Sequence, residues 1–293
     1  MIPPRTILAA TDFSEPSAAA LVFAARLARH CQARLHVLHA EHPLLGAAAE
    51  QSGIDLAAQT REELQRVIAA APPAADCSPQ VHAVAGPAVE VILEVAGAQH
   101  ADLVVVGSRG MSGAEKLVFG STTEGLLRRS EVSVLVVPPG WTPPRAASVD
   151  LAGTGPVIAA VDMTESSIAG ARAACSLAST LGTAVEIVHV VPDLPVLTRW
   201  KAHAATALLE RMAEARKELE NIVRSLSCPA PLESRVETGP VADRLASIAG
   251  RAADRAPLLV LGKKAPRSGG GAPGTIAYRV LSLANVPVLM YVE

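Results

Sequence analysis

Aromatic residues make up only 2% of this 293-residue chain: three Phe, two Tyr and two Trp. So few rings cannot build the stacking platforms that single-stranded nucleic acid needs. An excess of one charge is missing too, since 26 basic side chains stand against 28 acidic ones for a net charge of −2. No global basic field therefore marks a nucleic-acid binder. The four cysteines, Cys31, Cys77, Cys175 and Cys228, are scattered and form no CxxC pair. That spacing points to idle thiols in a reducing compartment. No stretch reaches the ~20 apolar residues of a membrane span, and Arg26 and Arg29 break the longest candidate, Ala18–Ala28. The N-terminal MIPPRTILAATD lacks a charged leader ahead of a signal-type apolar core. The expectation is a cytoplasmic protein with neither membrane nor nucleic-acid partner.

What the chain does have is apolar mass. Half of its residues are hydrophobic, and its length suggests about two domains, each with a sizeable core. The chain is written twice. ILAATDFSE at Ile7–Glu15 returns as VIAAVDMTE at Val157–Glu165, and LHVLHA at Leu35–Ala40 returns as VEIVHV at Val185–Val190. AGPAVE, LVVVG and VSVLVVP likewise return, in order, as TGPVAD, LLVLG and VPVLMYV. So long a period means two copies of one domain rather than a solenoid. Residues 1–140 form the first domain, residues 141–155 the linker and residues 156–293 the second domain; the linker falls in the Pro- and Gly-rich stretch Pro138–Gly155.

Each copy alternates short apolar runs with helical patterns. In the first, strands are expected near Thr6–Thr11, Arg34–His39, Gln80–Ala85, Leu103–Gly107 and Ser133–Val137. Helices are expected at Pro16–Cys31, Asp55–Ala70, Pro87–Gln99 and Ser121–Arg129. Continuously apolar strands alternating with helices give an α/β class: two tandem, doubly wound, Rossmann-like domains, each with a parallel sheet. Five strands in the order 3-2-1-4-5 would bring the ends of strands 1 and 4 to one crevice, where such sheets bind ligands.

The segment LVVVGSRGMSGAEKLVFGSTT, Leu103–Thr123, carries the chemistry. A strand ends at Gly107, a glycine-punctuated loop follows, and Gly120-Ser121-Thr122 opens a helix. Free N–H groups and the helix dipole make such a junction a phosphate seat. Gly107, Gly110 and Gly120 permit close approach of a ligand to the backbone. Ser121 and Thr122 add hydroxyls, and Arg109 adds a fixed positive charge. Thr11 and Asp12 follow strand 1, where a dinucleotide-binding domain would have its glycine turn, so NAD is not expected. Asp12 also reads as an ordinary helix cap. His39, Glu41 and His42 cluster after strand 2 without a fourth metal partner, so no metal is assigned. His39 matches His189, which suggests a shared packing or hydrogen-bonding role, while His36 and His82 read as unaccompanied. No nucleophile elbow, P-loop lysine or other catalytic constellation is present.

Gly107, Gly110, Gly120 and Ser121 stand in the spacing Gly, two residues, Gly, nine residues, Gly, Ser, with Asp12 just after strand 1. In this the chain resembles the nucleotide-binding members of the universal stress protein family, and both halves share the resemblance. It implies that the first copy binds ATP, with or without Mg2+. Gly107, Arg109, Gly110, Gly120, Ser121 and Thr122 would hold phosphates and ribose. Asp12 would lie beside the ribose or a phosphate-bound metal, Thr11 would belong to the same nucleotide site, and Ala40 would line the adenine slot. The second copy keeps Asp162, Val190, Gly262, Gly274 and Thr275, but Ala265 and Ile276 replace a glycine and a hydroxyl, so its site is the weaker one. The resemblance also implies an intramolecular pseudo-dimer across the fifth strands; a further homodimer of chains is not readable from the sequence. The leading reading is an ATP-binding stress-response or signalling regulator with at most slow hydrolysis and an unidentified protein partner. An ATP-hydrolysing or adenylate-handling enzyme, and a nucleotide-free interaction scaffold, are the alternatives.

Overall fold

The computed structural model describes residues 3–108, 120–142, 155–193, 201–252, 257–264 and 274–293. Arg109, Gly110 and most of the linker lie outside the described residues. The described residues divide into two compact units, 3–142 and 155–293.

The first unit runs β1 (Thr6–Ala10), α1 (Glu15–Cys31), β2 (Arg34–Glu41), α2 (Pro43–Gln51), α3 (Leu56–Ala69), α4 (Pro72–Asp76), β3 (Gln80–Ala85), α5 (Ala88–Ala98), β4 (Leu103–Gly107), α6 (Ser121–Arg129) and β5 (Ser133–Val137). Its strands are parallel, in the order β3-β2-β1-β4-β5. The second unit runs β6 (Val157–Ala160), α7 (Glu165–Leu181), β7 (Val185–Val191), α8 (Lys201–Ser225), β8 (Leu232–Thr238), α9 (Val241–Arg251), β9 (Leu258–Lys263), α10 (Thr275–Leu283) and β10 (Val288–Val292). Its order is the same, β8-β7-β6-β9-β10.

This order follows from right-handed crossovers. The chain steps from β1 to β3 in one direction and then returns past β1 to β4 and β5, so α5 and α6 cover the face opposite α1 and α3. With both faces covered, the central strands are apolar throughout. Ile7, Leu8, Leu103, Val104, Val105 and Leu135 are fully buried.

Local chemistry repeats between the units. Ser14 caps α1 by accepting from Ser17 N, and Thr164 caps α7 by accepting from Ser167 N. Phe13 and Met163, each one residue before its cap, take φ of 65° and 66°. Ser14→Ala and Thr164→Ala should each cost about 1 kcal/mol, because a first-turn N–H loses its acceptor. Denaturant unfolding checks this; Ser14→Asp, which restores an acceptor, should recover most of the loss.

Two helices depart from the expected pattern. Helix α2 is not among the expected helices, and it exposes Leu44 and Leu45. Helix α4 is a single turn that starts on two prolines, which fix φ where N–H groups are not needed. All four cysteines are free. Burial pushes the Cys31 thiol up to about 12. Burial also raises Cys175, helped by the Cys228 thiol beside it. These thiols carry little thiolate near neutrality, which makes them poor nucleophiles.

Candidate functional site

The end of β1 is pinned by its own short side chains. Thr11 N continues the ladder to Leu38 O at 2.9 Å. The Thr11 and Ser17 hydroxyls lie 3.0 Å apart, and Thr11 Oγ1 accepts from Phe13 N at 3.1 Å. Asp12 is not the helix cap, because Ser14 fills that role. Its Oδ1 instead accepts from Ser14 N at 3.1 Å and from the Ser14 hydroxyl at 2.5 Å, which orients the cap. His39 Nδ1 lies 2.8 Å from Thr11 O, and His189 Nδ1 lies 2.7 Å from Val161 O in the second unit. A carbonyl only accepts, so both rings carry their proton on Nδ1. The shared hydrogen-bonding role of these two histidines is therefore present, and the Phe13 ring stacks on His39 at 4.4 Å.

Across the switch point, β4 delivers Gly107 and Ser108. Ser108 N donates to Val137 O at 2.9 Å, and Gly120 N donates to Ser108 O at 3.0 Å. The two ends of the intervening loop are thus tied together. Thr123 Oγ1 donates to Gly107 O at 2.8 Å and fixes α6 against the strand end. Gly120 takes the N-cap place of α6 with φ −66° and ψ 146°, and no side chain caps the first turn. Gly120 is therefore in an ordinary extended conformation. Gly107 has a packing reason of its own: a Cβ there would lie 2.9 Å from the carbonyl of Pro16. Helix α1 demands this glycine whatever the ligand.

Between these two strand ends lies a cleft of about 270 Å³. Its polar side is formed by Thr11, Asp12, Gly120, Ser121 and Thr122, with Gly107 at its base. Its apolar wall is Leu38, Ala40, Ala88, Ile92 and Val106. The expected residues of the first site that are described thus converge on one cavity. Ala88 and Ile92 were not anticipated. Their signal was the i,i+4 spacing on α5, right after the repeated Gly-Pro. Among the described residues no cluster of three or more His, Cys, Asp or Glu is placed to hold a metal ion.

The second unit repeats the scaffold with a different lining. Asp162 Oδ1 accepts from Thr164 N at 3.1 Å and from the Thr164 hydroxyl at 2.5 Å. Burial pushes this carboxyl up, but hydrogen bonds from Thr164 and Ser167 outweigh it and hold the group below its usual range. Val190, the counterpart of Ala40, is buried. A Cβ on Gly262 would overlap the Ser166 carbonyl, so this glycine too answers to helix packing. Gly274 precedes α10 with no side-chain cap, and Thr275 is the first helical residue. Lys263 stands where the first unit has Ser108. It is buried, and burial lowers its ammonium pKa.

Each unit is a doubly wound α/β sheet, and the first has a cleft at its topological switch point. The model of the universal stress protein family matches residues 4–138 and 154–291. The chain belongs to the universal stress protein family, twice over. It is 31% identical over 144 residues to the universal stress protein YxiE of Bacillus subtilis, a match covering 45% of this chain and 97% of that one. It is 28% identical over 138 residues to the universal stress protein MJ0531 of Methanocaldococcus jannaschii, covering 45% of this chain and 81% of that one. A crystal structure of a universal stress protein from Archaeoglobus fulgidus superposes with a TM-score of 0.66 over 98% of this chain and 97% of that one, at 18% identity. That last likeness is one of fold. Among the described residues no helix is long and apolar enough to cross a membrane.

Proposed function

We propose that the first unit binds ATP, with or without Mg2+, and that the protein acts as a stress-response or signalling regulator whose surface changes with the bound nucleotide. One observation carries this reading: an uncapped helix N-terminus, a pinned carboxylate and apolar side chains line the same cleft. The first suits phosphate, the second suits ribose hydroxyls or a phosphate-bound cation, and the third suits a base. In this reading Arg109 and Gly110, which lie outside the described residues, also bind the phosphates. Asp12 is the carboxylate among the described lining residues, and the Ser14 hydroxyl and N–H engage it. It is poorly set to activate water, so turnover is slow at most. The second unit, where Ala265 and Ile276 stand in place of a glycine and a hydroxyl, holds nucleotide more weakly or not at all.

The test is the nucleotide content of freshly purified protein, released by denaturation and identified by mass. About one ATP per chain supports a single working site. Two per chain would assign a site to the second unit as well. None, even after incubation with ATP and Mg2+, would overturn the nucleotide reading.

A further inference from the structure

The two units differ in chemistry at one matching pair of positions. In the first, His36 on β2 and His82 on β3 meet, with His36 Nδ1 2.9 Å from His82 Nε2. Their rings stack with centroids 5.2 Å apart. These histidines are therefore partners, not the unaccompanied residues the sequence suggested. The strand registers repeat in the second unit. Val157 faces Val185 as Ile7 faces Leu35, and Glu186 faces Glu233 as His36 faces Gln80. The counterparts of His36 and His82 are thus Glu186 and Arg235, and these two form an ion pair. One unit ties its outer strand with two imidazoles, which repel when both are charged. The other uses opposite charges, where acid adds no repulsion.

The surroundings of the histidine pair give acid nothing to compensate. His36 is 1% exposed, and its Nε2 is buried without a hydrogen-bond partner. Arg34 lies two residues earlier on the same face, with Nη2 3.0 Å from Thr6 Oγ1. Leu8 and Gln80, in register with His36 on either side, carry no charge. On α5, which packs on this face, Glu90 is held by Arg129 and Glu94 is exposed. Helix α3 packs on the other face, beside Val81. Burial, then His82, then Arg34 hold His36 below its ordinary value of 6.5, and burial does the same for His82.

We propose that His36 and His82 form an acid-sensitive latch on β3, the outer strand of the first unit, which the second unit lacks at β8. With no added proton, one ring N–H donates to the lone pair of the other ring. A first proton leaves that bond in place. A second puts hydrogens on both facing nitrogens, so the bond is lost and two cations stand in contact. The opened strand accepts both protons below about pH 6.5, whereas the closed pair accepts one at most. A folded-state histidine pKa below the unfolded one means that stability is full above pH 6.5 and is lost as pH falls through that value. Leu38 and Ala40, on the same strand and face as His36, wall the cleft. Opening the latch therefore also loosens nucleotide, a consequence that rests on the reading proposed above.

The test is amide hydrogen exchange of the nucleotide-free full chain at pH 7.5 and 5.5, corrected for the intrinsic pH dependence of exchange. The opening equilibrium of β3 should rise about tenfold, the expectation for one extra proton over one pH unit below 6.5. That of β8 should not rise, because burial raises the Glu186 carboxyl and the closed strand then takes up a proton more readily than the opened one. The double substitution His36→Glu with His82→Arg, which copies the second unit, should abolish the acid response of β3. Equal responses of β3 and β8 in the wild type, or a persistent response in the double variant, would overturn the latch. If that variant does not fold, the wild-type comparison of β3 with β8 decides alone. Failure to bind ATP at either pH would refute the nucleotide reading and leave the exchange result to judge the latch.

Discussion

Gly262→Ala should lower the stability of the second unit by about 3 kcal/mol, and Gly107→Ala that of the first by about 2 kcal/mol. Gly107 ends β4 and Gly262 is the penultimate residue of β9, each where the first helix of its unit crosses at backbone distance. At Gly107 an added Cβ meets the carbonyl carbon and oxygen of Pro16 at 2.9 Å and Ser17 N at 3.1 Å. At Gly262 it overlaps the Ser166 carbonyl and lies 2.7 Å from Ser167 Cα. These neighbours are backbone atoms at a helix start, so a rotamer change cannot relieve the clash. Gly170 brings the second pair closer still, because its own missing Cβ would stand 3.0 Å from Gly262 N. Calorimetry of the full chain should show the Gly262→Ala transition shifted down by roughly 10 °C. Gly97→Ala is the control. That glycine is exposed within α5 with nothing within 4 Å of an added Cβ, so the change should raise stability by about 0.5–1 kcal/mol. A Gly262→Ala protein as stable as wild type would show that α7 does not need this close approach.

These glycines answer to two demands, only one of which is written in the local sequence. LVVVG at the end of a strand, ahead of a loop and helix, was legible as a ligand seat, and Gly107 does line the cleft. The stronger demand on Gly107 comes from Pro16 and Ser17, some ninety residues earlier in the chain, and no local pattern carries that distance. Asp12 is similar. Its place after β1 was legible, whereas its role in orienting Ser14 needed the geometry, since both residue types cap helices.

The inner strands were the most legible part because burial on both faces writes Leu103–Gly107 and Ser133–Val137 as apolar runs. Both have the expected bounds, as does the half-buried outer strand Gln80–Ala85. β2 runs two residues further than its apolar run, through Ala40 to Glu41, since Gly86 N and the β3 ladder still pair with it there. Helix α2 escaped notice because Pro43-Leu44-Leu45-Gly46 has neither a polar face nor a cap residue. The histidine latch escaped because a contact between β2 and β3 depends on register, which a sequence does not spell out. Only after Glu186 falls beside Arg235 in the same register does the difference between the copies become visible.

Thr122→Glu should reduce ATP affinity at least about 100-fold while leaving the protein as stable as before, or slightly more so. Thr122 is the second residue of α6 and lines the cleft beside Gly120 and Ser121. A carboxylate in the first turn favours the helix, by about 0.3–1 kcal/mol, because it faces the positive end of the dipole. The same carboxylate would occupy the place that the proposed site gives to a phosphate. Like charges about 4 Å apart repel by ~4 kcal/mol at an effective dielectric near 20, which is more than two decades in affinity. Stability and binding therefore move in opposite directions, and a folding defect cannot imitate that signature. Thr123, one residue on, makes the opposite case: its buried hydroxyl ties α6 to Gly107 O, so Thr123→Val should cost stability first. Isothermal titration with ATP and Mg2+, alongside thermal unfolding without nucleotide, reads both effects. If Thr122→Glu binds ATP as tightly as wild type, the phosphates do not rest on the N-terminus of α6. If affinity and stability fall together, the substitution has damaged the fold and the dipole argument fails with it.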